Sequence, residues 1–322
     1  MRQFARPKVA LSQCLGSTAC RWNGAAIDDP FVRRLAAHVD FLPVCPEMAI
    51  GLGAPRAPLR VVDDGSGPRL LQPATGLDHT RAMVEFCQNH LAGLTAVDGF
   101  LLKDRSPSCG PHGVRIYAGP QKGASSRQGG DFFGLMAQQT HPRAAIETEG
   151  RLRNFTLREH FLTKLFTLAA FGQVAASERL SALVEFQAAN KLLLMAYNQQ
   201  AMRALGRVVA AGRDADWPTL TAQYANVLQQ ALARQASRAN HQNALQHAMG
   251  WFKKDLTGPE KAHFLDLLAK YRAGKAPLAV LQALVAGWAI RHQNSYLAGQ
   301  SYLRPYPEDL LDLGDSGKGR DF

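Results

Sequence analysis

Residues 97–110 read VDGFLLKDRSPSCG, and this stretch decides how the first half of the chain is read. Gly99-Phe100-Leu101-Leu102 is an apolar run of strand length and reads as a buried strand. It breaks into a polar loop with two serines around a proline, then Cys109 and Gly110. Working outward, similar runs recur: KVALSQCLG and DFLPVCPE upstream, PLRVVDD between, GVRIYAG downstream. Between them lie helical patterns. DDPFVRRLAAHV has an acidic start and Pro30 in its first turn, and DHTRAMVEFCQNHLAGL carries Asp78 at the expected N-cap. Strands alternating with helices predict an α/β layer with a largely parallel sheet.

Residues 121–150 hold a Gly/Ser-rich loop, a short helical pattern and a proline break, and the domain boundary is expected near residue 153. Beyond it apolar positions recur at spacings of three and four. NFTLREHFLTKLFTLAAFG opens on an Asn cap and closes on Gly, and the following segments keep the same rhythm. The expectation is an α/β domain over 1–153 and an all-α domain of five to seven helices over 154–322. The end, GDSGKGRDF, is expected to be flexible.

Composition narrows the function classes. The chain has 322 residues, 46% hydrophobic and 20% charged, which is globular rather than disordered composition. No apolar run reaches the roughly 20 residues of a membrane helix. The start, MRQFARPKVALSQCLG, lacks a secretory apolar region, so a cytoplasmic protein without membrane attachment is expected. The net charge of +11 is spread over both halves with no basic tail. It favours a polyanion without identifying a nucleic-acid reader.

Cys14, Cys20, Cys45, Cys87 and Cys109 are odd in number and widely spaced, which speaks against a disulfide framework. Cys87, inside a helical pattern, reads as a packing residue. Cys14, Cys45 and Cys109 each stand at or just after the C-terminal end of an expected strand, where open α/β sheets bind ligands. Three distant thiols thereby converge on one point. A closed zinc site wants four ligands in paired knuckles, which are absent. A cubane iron–sulfur cluster takes four cysteines, and three would leave one iron open as a Lewis acid. Cys20 is the remaining candidate for a fourth ligand, against its six-residue offset from Cys14, which fits no compact knuckle.

The blocks SQCLGSTACRWNG, LPVCPEMAIGLGAPRAPLRVV, ATGLDHT and LLKDRSPSCGPHGVRIYAG resemble the signatures of the TudS-type thiouracil desulfidase family over residues 7–150. The second half resembles the YbgA-type helical domain often fused to it, through VEFQAANKLLLMAY, LGRVVA, NALQHAMGWFKKDL, APLAVLQALV and YLAGQSYLRPYPEDL. The first resemblance implies a [4Fe-4S] cluster held by Cys14, Cys45 and Cys109, with its open iron taking the sulfur of a thiolated pyrimidine such as 2-thiouracil. Glu47, two residues after Cys45, is the expected base or proton carrier, against the alternative of a helix N-terminal charge. Ser106, three before Cys109, is the expected proton relay, against a turn-forming serine before Pro107. Arg21, Lys103 and Arg105 would orient substrate or offset cluster charge, or else pair with Asp64 or Asp104. Ser108 and Gly110 are expected to shape the loop.

This chain departs from the family pattern at three places. Ser17 stands where glycine is usual, Trp22-Asn23 replaces Tyr-Asp, and Cys20 replaces valine. Trp22 would then line the substrate pocket and alter specificity, and Cys20 would pack. In the helical half, His241 and His247 are six apart and share no helix face well, so polar packing is expected rather than a metal. Lys191, Asn243 and Gln246 carry resemblance more than chemistry. The alternative function is a binding module for nucleic acid (thiolated RNA or DNA) or a protein partner, with the cluster structural.

Overall fold

A computed structural model describes residues 2–16, 18–130 and 132–315. Among them the chain divides into two compact units, 5–169 with 307–315, and 170–306 with 2–4. No helix among the described residues is long and apolar enough to cross a membrane.

The first unit is α/β. Strands β1 (Lys8–Ser12), β2 (Asp40–Val44), β6 (Gly99–Leu102) and β9 (Ala145–Thr148) form a four-stranded sheet in the order β2-β1-β6-β9. Every neighbouring pair is parallel. Helix α1 (Pro30–Ala36) makes the crossover from β1 to β2. It starts where Asp29 accepts from the Phe31 and Val32 N–H groups, with proline in the first turn. Helix α4 (Phe132–Thr140) lies between β6 and β9.

A second, mostly antiparallel sheet is assembled from the chain inserted around β6. It comprises β3 (Arg60–Val62), β4 (Arg69–Gln72), β5 (Leu77–Asp78), β7 (Val114–Tyr117) and β8 (Ser126–Gly129), in the order β5-β4-β3-β7-β8. Only β3 and β7 run parallel within it. The alternation of strands and helices gave no sign of the split, because β3 and β7 look like any other apolar strand until their partners are known. β8, Ser-Arg-Gln-Gly, is polar and mostly exposed, so its pairing with β7 alone makes it a strand. It and β9 lie in the segment read as loop, helix and break.

Every residue of β6 is buried. Phe100 and Leu102 share an apolar core with Val61 and Leu70 of the second sheet, Met83, Cys87 and Leu91 of α3 (Thr80–Gly93), and Phe133 of α4. Cys87 is thus a packing residue, fully buried. Each large side chain buried here contributes about 1.5–3 kcal/mol. The N-cap of α3 is His79 rather than Asp78. Asp78 belongs to β5 and its carboxylate accepts from the Thr80 N–H at 2.8 Å, a turn contact one residue early.

From residue 155 the described chain is helical. It forms α5 (Phe155–Ala176), α6 (Leu180–Ala189), α7 (Lys191–Tyr197), α8 (Gln199–Ala210), α9 (Trp217–Ala231), α10 (Arg238–Gly250), α11 (Gly258–Arg272), α12 (Leu278–Arg291) and α13 (Ser295–Ala298). The division between the units falls within α5. These are more helices than the five to seven expected. One continuous-looking pattern breaks at Asn190, whose amide bonds the Phe186 carbonyl at 2.8 Å, and at Asn198, which caps α8 through the Ala201 N–H. The second unit is built around Tyr224, stacked on Phe171 at 5.1 Å, with its hydroxyl donating to Gln187 at 2.6 Å.

Of the expected flexible tail, residues 316–322 lie outside the described residues, as does Ser17. Just before them, the Asp312 and Gly314 carbonyls accept from Arg158 within the first unit.

Candidate functional site

Because β2, β1 and β6 are adjacent and parallel, their C-terminal ends lie along one edge of the sheet. Three loops leave that edge. The first carries Cys14 and Cys20, the second Cys45, and the third Ser106, Ser108 and Cys109. Cys45 follows Val44 directly and holds the N-cap position of the short helix α2 (Pro46–Ala49). Ser12, buried at the end of β1, accepts from the Lys103 N–H at 2.8 Å and favours the charged form of the Cys109 thiol against its burial. It ties the first loop to the third. Helix α4 closes the third loop from behind: a Cβ on Gly134 would stand 2.5 Å from the Cys109 carbonyl, so only glycine fits there.

Four thiols meet at this edge. Cys45 interacts electrostatically with Cys14, Cys20 and Cys109, and Cys14 with both Cys20 and Cys109. Cys20 and Cys109 are buried, while Cys14 and Cys45 are half-buried. Burial first, and then the neighbouring Cys45, push Cys14 up to about 11, with Lys103 and Arg21 opposing. Burial followed by Cys45 and Cys14 pushes Cys20 up to about 12. Burial likewise raises Cys109. A cation that binds these thiols must displace their protons, and its own charge would then stabilise the thiolates.

Among the described residues no group of three or more His, Cys, Asp or Glu side chains is arranged around a single metal ion. A cubane makes a different demand, one thiolate for each iron, so its ligands stand farther apart than those of one ion. Soft thiols arriving from three separate loops fit that demand.

Beside the thiols runs a buried polar chain. The Ser106 hydroxyl lies 3.2 Å from that of Ser108, and Ser108 donates to Glu47 Oε1 at 2.6 Å. Glu47 Oε2 accepts from Arg56 Nε at 2.6 Å and also pairs with Arg56 Nη2. Both side chains of that ion pair are almost wholly buried. Arg56 Nη1 donates to the Gly53 carbonyl at 2.6 Å and the Cys20 carbonyl at 2.9 Å, and the Arg56 N–H to the Trp22 carbonyl at 2.7 Å. One arginine therefore fixes Glu47 and the first cysteine loop together. Ser106 Oγ also accepts from the Cys109 N–H at 3.2 Å and the Ser108 N–H at 3.4 Å. With its lone pairs so engaged, its own hydrogen points to Ser108, whose hydrogen points to Glu47.

The structure thus gathers Cys14, Cys45, Cys109, Glu47 and Ser106, and adds groups given lesser parts or none from sequence. Ser108 bridges Glu47 to the thiol loop as well as shaping it, lying 3.9 Å from the Cys109 sulfur. Arg56 sits in the quoted block GLGAPRAP, but only the tertiary fold shows what it clamps. Cys20 lies among the thiols rather than in an apolar core. Lys103 pairs with Glu149, the residue after β9, and donates to the Asp104 carbonyl at 2.9 Å. Arg105 reaches Asp104 at 3.4 Å from an exposed position, and Asp64 pairs with Arg69. Trp22 is 49% exposed.

In the helical unit His241 hydrogen-bonds Tyr302 at 3.0 Å, while His247, Lys191 and Gln246 are exposed. His241 is a packing residue.

Comparison with known proteins agrees with these two parts. Residues 9–149 match the family described as 2-thiouracil desulfurase, and residues 191–307 match a protein family of unknown function, DUF1722. The uncharacterized protein YbgA of Escherichia coli (strain K12) is 27% identical over 139 residues, covering 42% of this chain and 80% of YbgA. The uncharacterized protein YbbK of Bacillus subtilis (strain 168) is 30% identical over 109 residues, covering 32% of this chain and 72% of YbbK. A solved structure of the [4Fe-4S]-dependent thiouracil desulfidase TudS is 29% identical, with a TM-score of 0.37, covering 46% of this chain and 93% of that one. The chain belongs to the 2-thiouracil desulfurase family, a family of desulfidase enzymes, through its N-terminal region, and carries a DUF1722 domain of the YbgA type at its C-terminus.

Proposed function

We propose that the chain removes sulfur from a thiolated pyrimidine of the 2-thiouracil kind, with Cys14, Cys45 and Cys109 holding a [4Fe-4S] cluster. The observation that carries this reading is the meeting of three thiol loops on adjacent parallel strand ends, beside the buried Ser106–Ser108–Glu47 chain. When bound, a cubane with three protein thiolates leaves one iron open, a soft Lewis acid suited to a thiocarbonyl sulfur.

The remaining work falls to the protein. Exchanging C=S for C=O consumes water and releases hydrogen sulfide, with no net electron transfer, and the attacking water must lose a proton. Glu47 Oε1 is the end of the proton path, reached through the Ser108 hydroxyl, with Ser106 as the outer oxygen. Arg56 holds the carboxylate in place from its other side. Arg21 and Lys103 act on Cys14 and counter the negative charge of bound thiolates. Trp22, next to Arg21, offers an exposed ring to a pyrimidine at the rim.

Anaerobic reconstitution followed by incubation with 2-thiouracil tests the reading. The expected products are uracil and sulfide, and E47Q is expected to keep the cluster absorbance while losing desulfuration. A chain that takes up zinc or no metal, or that holds the cluster and turns over no thiolated base, overturns it.

A further inference from the structure

The cluster reading uses three thiols, and the site contains four. Cys20 is 1% exposed, and its thiol interacts electrostatically with those of Cys45 and Cys14. Its carbonyl is held by Arg56, the residue that clamps Glu47, and its N–H donates to the Thr18 carbonyl at 2.9 Å. At the other end of the loop the Cys14 carbonyl accepts from the Ile27 N–H at 2.7 Å. Both cysteines are therefore anchored through their backbones, with the loop between them held at each end. Cys87 shows what a packing cysteine looks like in this unit, buried among Met83, Leu91 and Phe133.

We propose that Cys20 is a displaceable fourth ligand, which occupies the open iron until a thiocarbonyl sulfur replaces it. The inference rests on the cluster reading above. A cubane normally carries four cysteine thiolates, and a soft thiol held beside an iron lacking a ligand is a better donor to it than water or a carbonyl oxygen. As the Cys20 sulfur binds iron its S–H bond breaks and the proton leaves to solvent. When the thiocarbonyl sulfur enters, the iron–Cys20 bond breaks and the thiolate recovers a proton, with no electron transferred. Cys20 thereby sets a threshold that sulfur donors pass and oxygen donors do not, so the oxygenated product and water do not hold the site. It also protects the corner iron from loss between turnovers.

The test uses the full chain, reconstituted anaerobically as wild type, C20A and C20S, with iron and sulfide measured first. Ferricyanide oxidation then strips the labile corner iron from a three-thiolate cubane and leaves a paramagnetic three-iron cluster, read by electron paramagnetic resonance. Wild type is expected to resist this conversion, while C20A converts roughly ten- to a hundredfold faster at the same initial iron content. C20S, which keeps size and polarity without the soft donor, is expected to follow C20A. Equal conversion of all three at about four irons per chain overturns the proposal and leaves the desulfidase reading standing, with Cys20 reduced to a neighbour of the cluster thiols. C20S behaving as wild type also overturns it, since hydrogen bonding then suffices. Failure of all three to bind iron overturns this proposal and the cluster reading together.

Discussion

Two buried polar networks, one in each unit, have opposite character. In the helical unit, His241 meets the fully buried Tyr302, Gln282 donates to the Tyr302 carbonyl at 2.6 Å, and Ser301 donates to Asn190 at 2.7 Å. Burial holds His241 down at about 4, so every member is neutral at physiological pH. At the sheet edge, an ion pair, three serines and four thiols meet, and most of the thiols are pushed up by burial. The first network closes on itself and specifies helix packing. The second gathers soft donors whose protons a metal would replace. The candidate site is therefore distinguished by soft donors gathered at a topologically favoured edge, rather than by polarity or burial alone.

That contrast can be broken or sharpened by substitution. The largest effect is expected from C45S, since Cys45 interacts with all three of the other thiols: reconstituted iron and desulfuration should both fall to background, measured by iron analysis and uracil release. E47Q should cost roughly 10²–10⁴-fold in turnover with iron content unchanged. If the turnover of E47Q equals wild type, the Ser106–Ser108–Glu47 chain is structural, like its counterpart in the helical unit. R56A strips a buried carboxylate of its partner and should destabilise the first unit by about 3–5 kcal/mol in urea unfolding. Y302F removes the hydroxyl's neutral hydrogen bonds to His241 from the helical network and should cost only about 1 kcal/mol, with no change in iron uptake.

Acid provides a further, smaller discriminator. His241 and His160 are both held at about 4 by burial, against an ordinary value of 6.5. As pH falls through 6.5 the unfolded chain takes up protons that the folded chain refuses until near 4. Stability is therefore lost across that interval on acidification. Thermal melts at pH 7 and pH 5 should show the loss, and H241Q should reduce it.

Much of the first unit was legible in the sequence because its signals are local. Buried β6, the Asp29-capped α1 and the strand-end cysteines each depend on a few neighbouring residues. The second sheet was not legible, since β8 is polar and has no pattern of its own, and the split of the helical stretch turned on asparagines that read equally well as helix interior. At the site, Glu47 and Ser106 stood out by proximity in sequence to a cysteine. What Arg56 and Ser108 hold did not, because it lies in partners 9 and 61 residues away.

By itself the sequence determined that strands alternate with helices before residue 153 and that three cysteines follow strands, since hydrophobic period and residue type are properties of the chain. Only the tertiary structure decided that β2, β1 and β6 are neighbours, that Cys20 joins the other thiols, and that one buried arginine holds both a carboxylate and a cysteine loop. Strand order and loop convergence arise from packing between distant segments, and no local pattern carries that information.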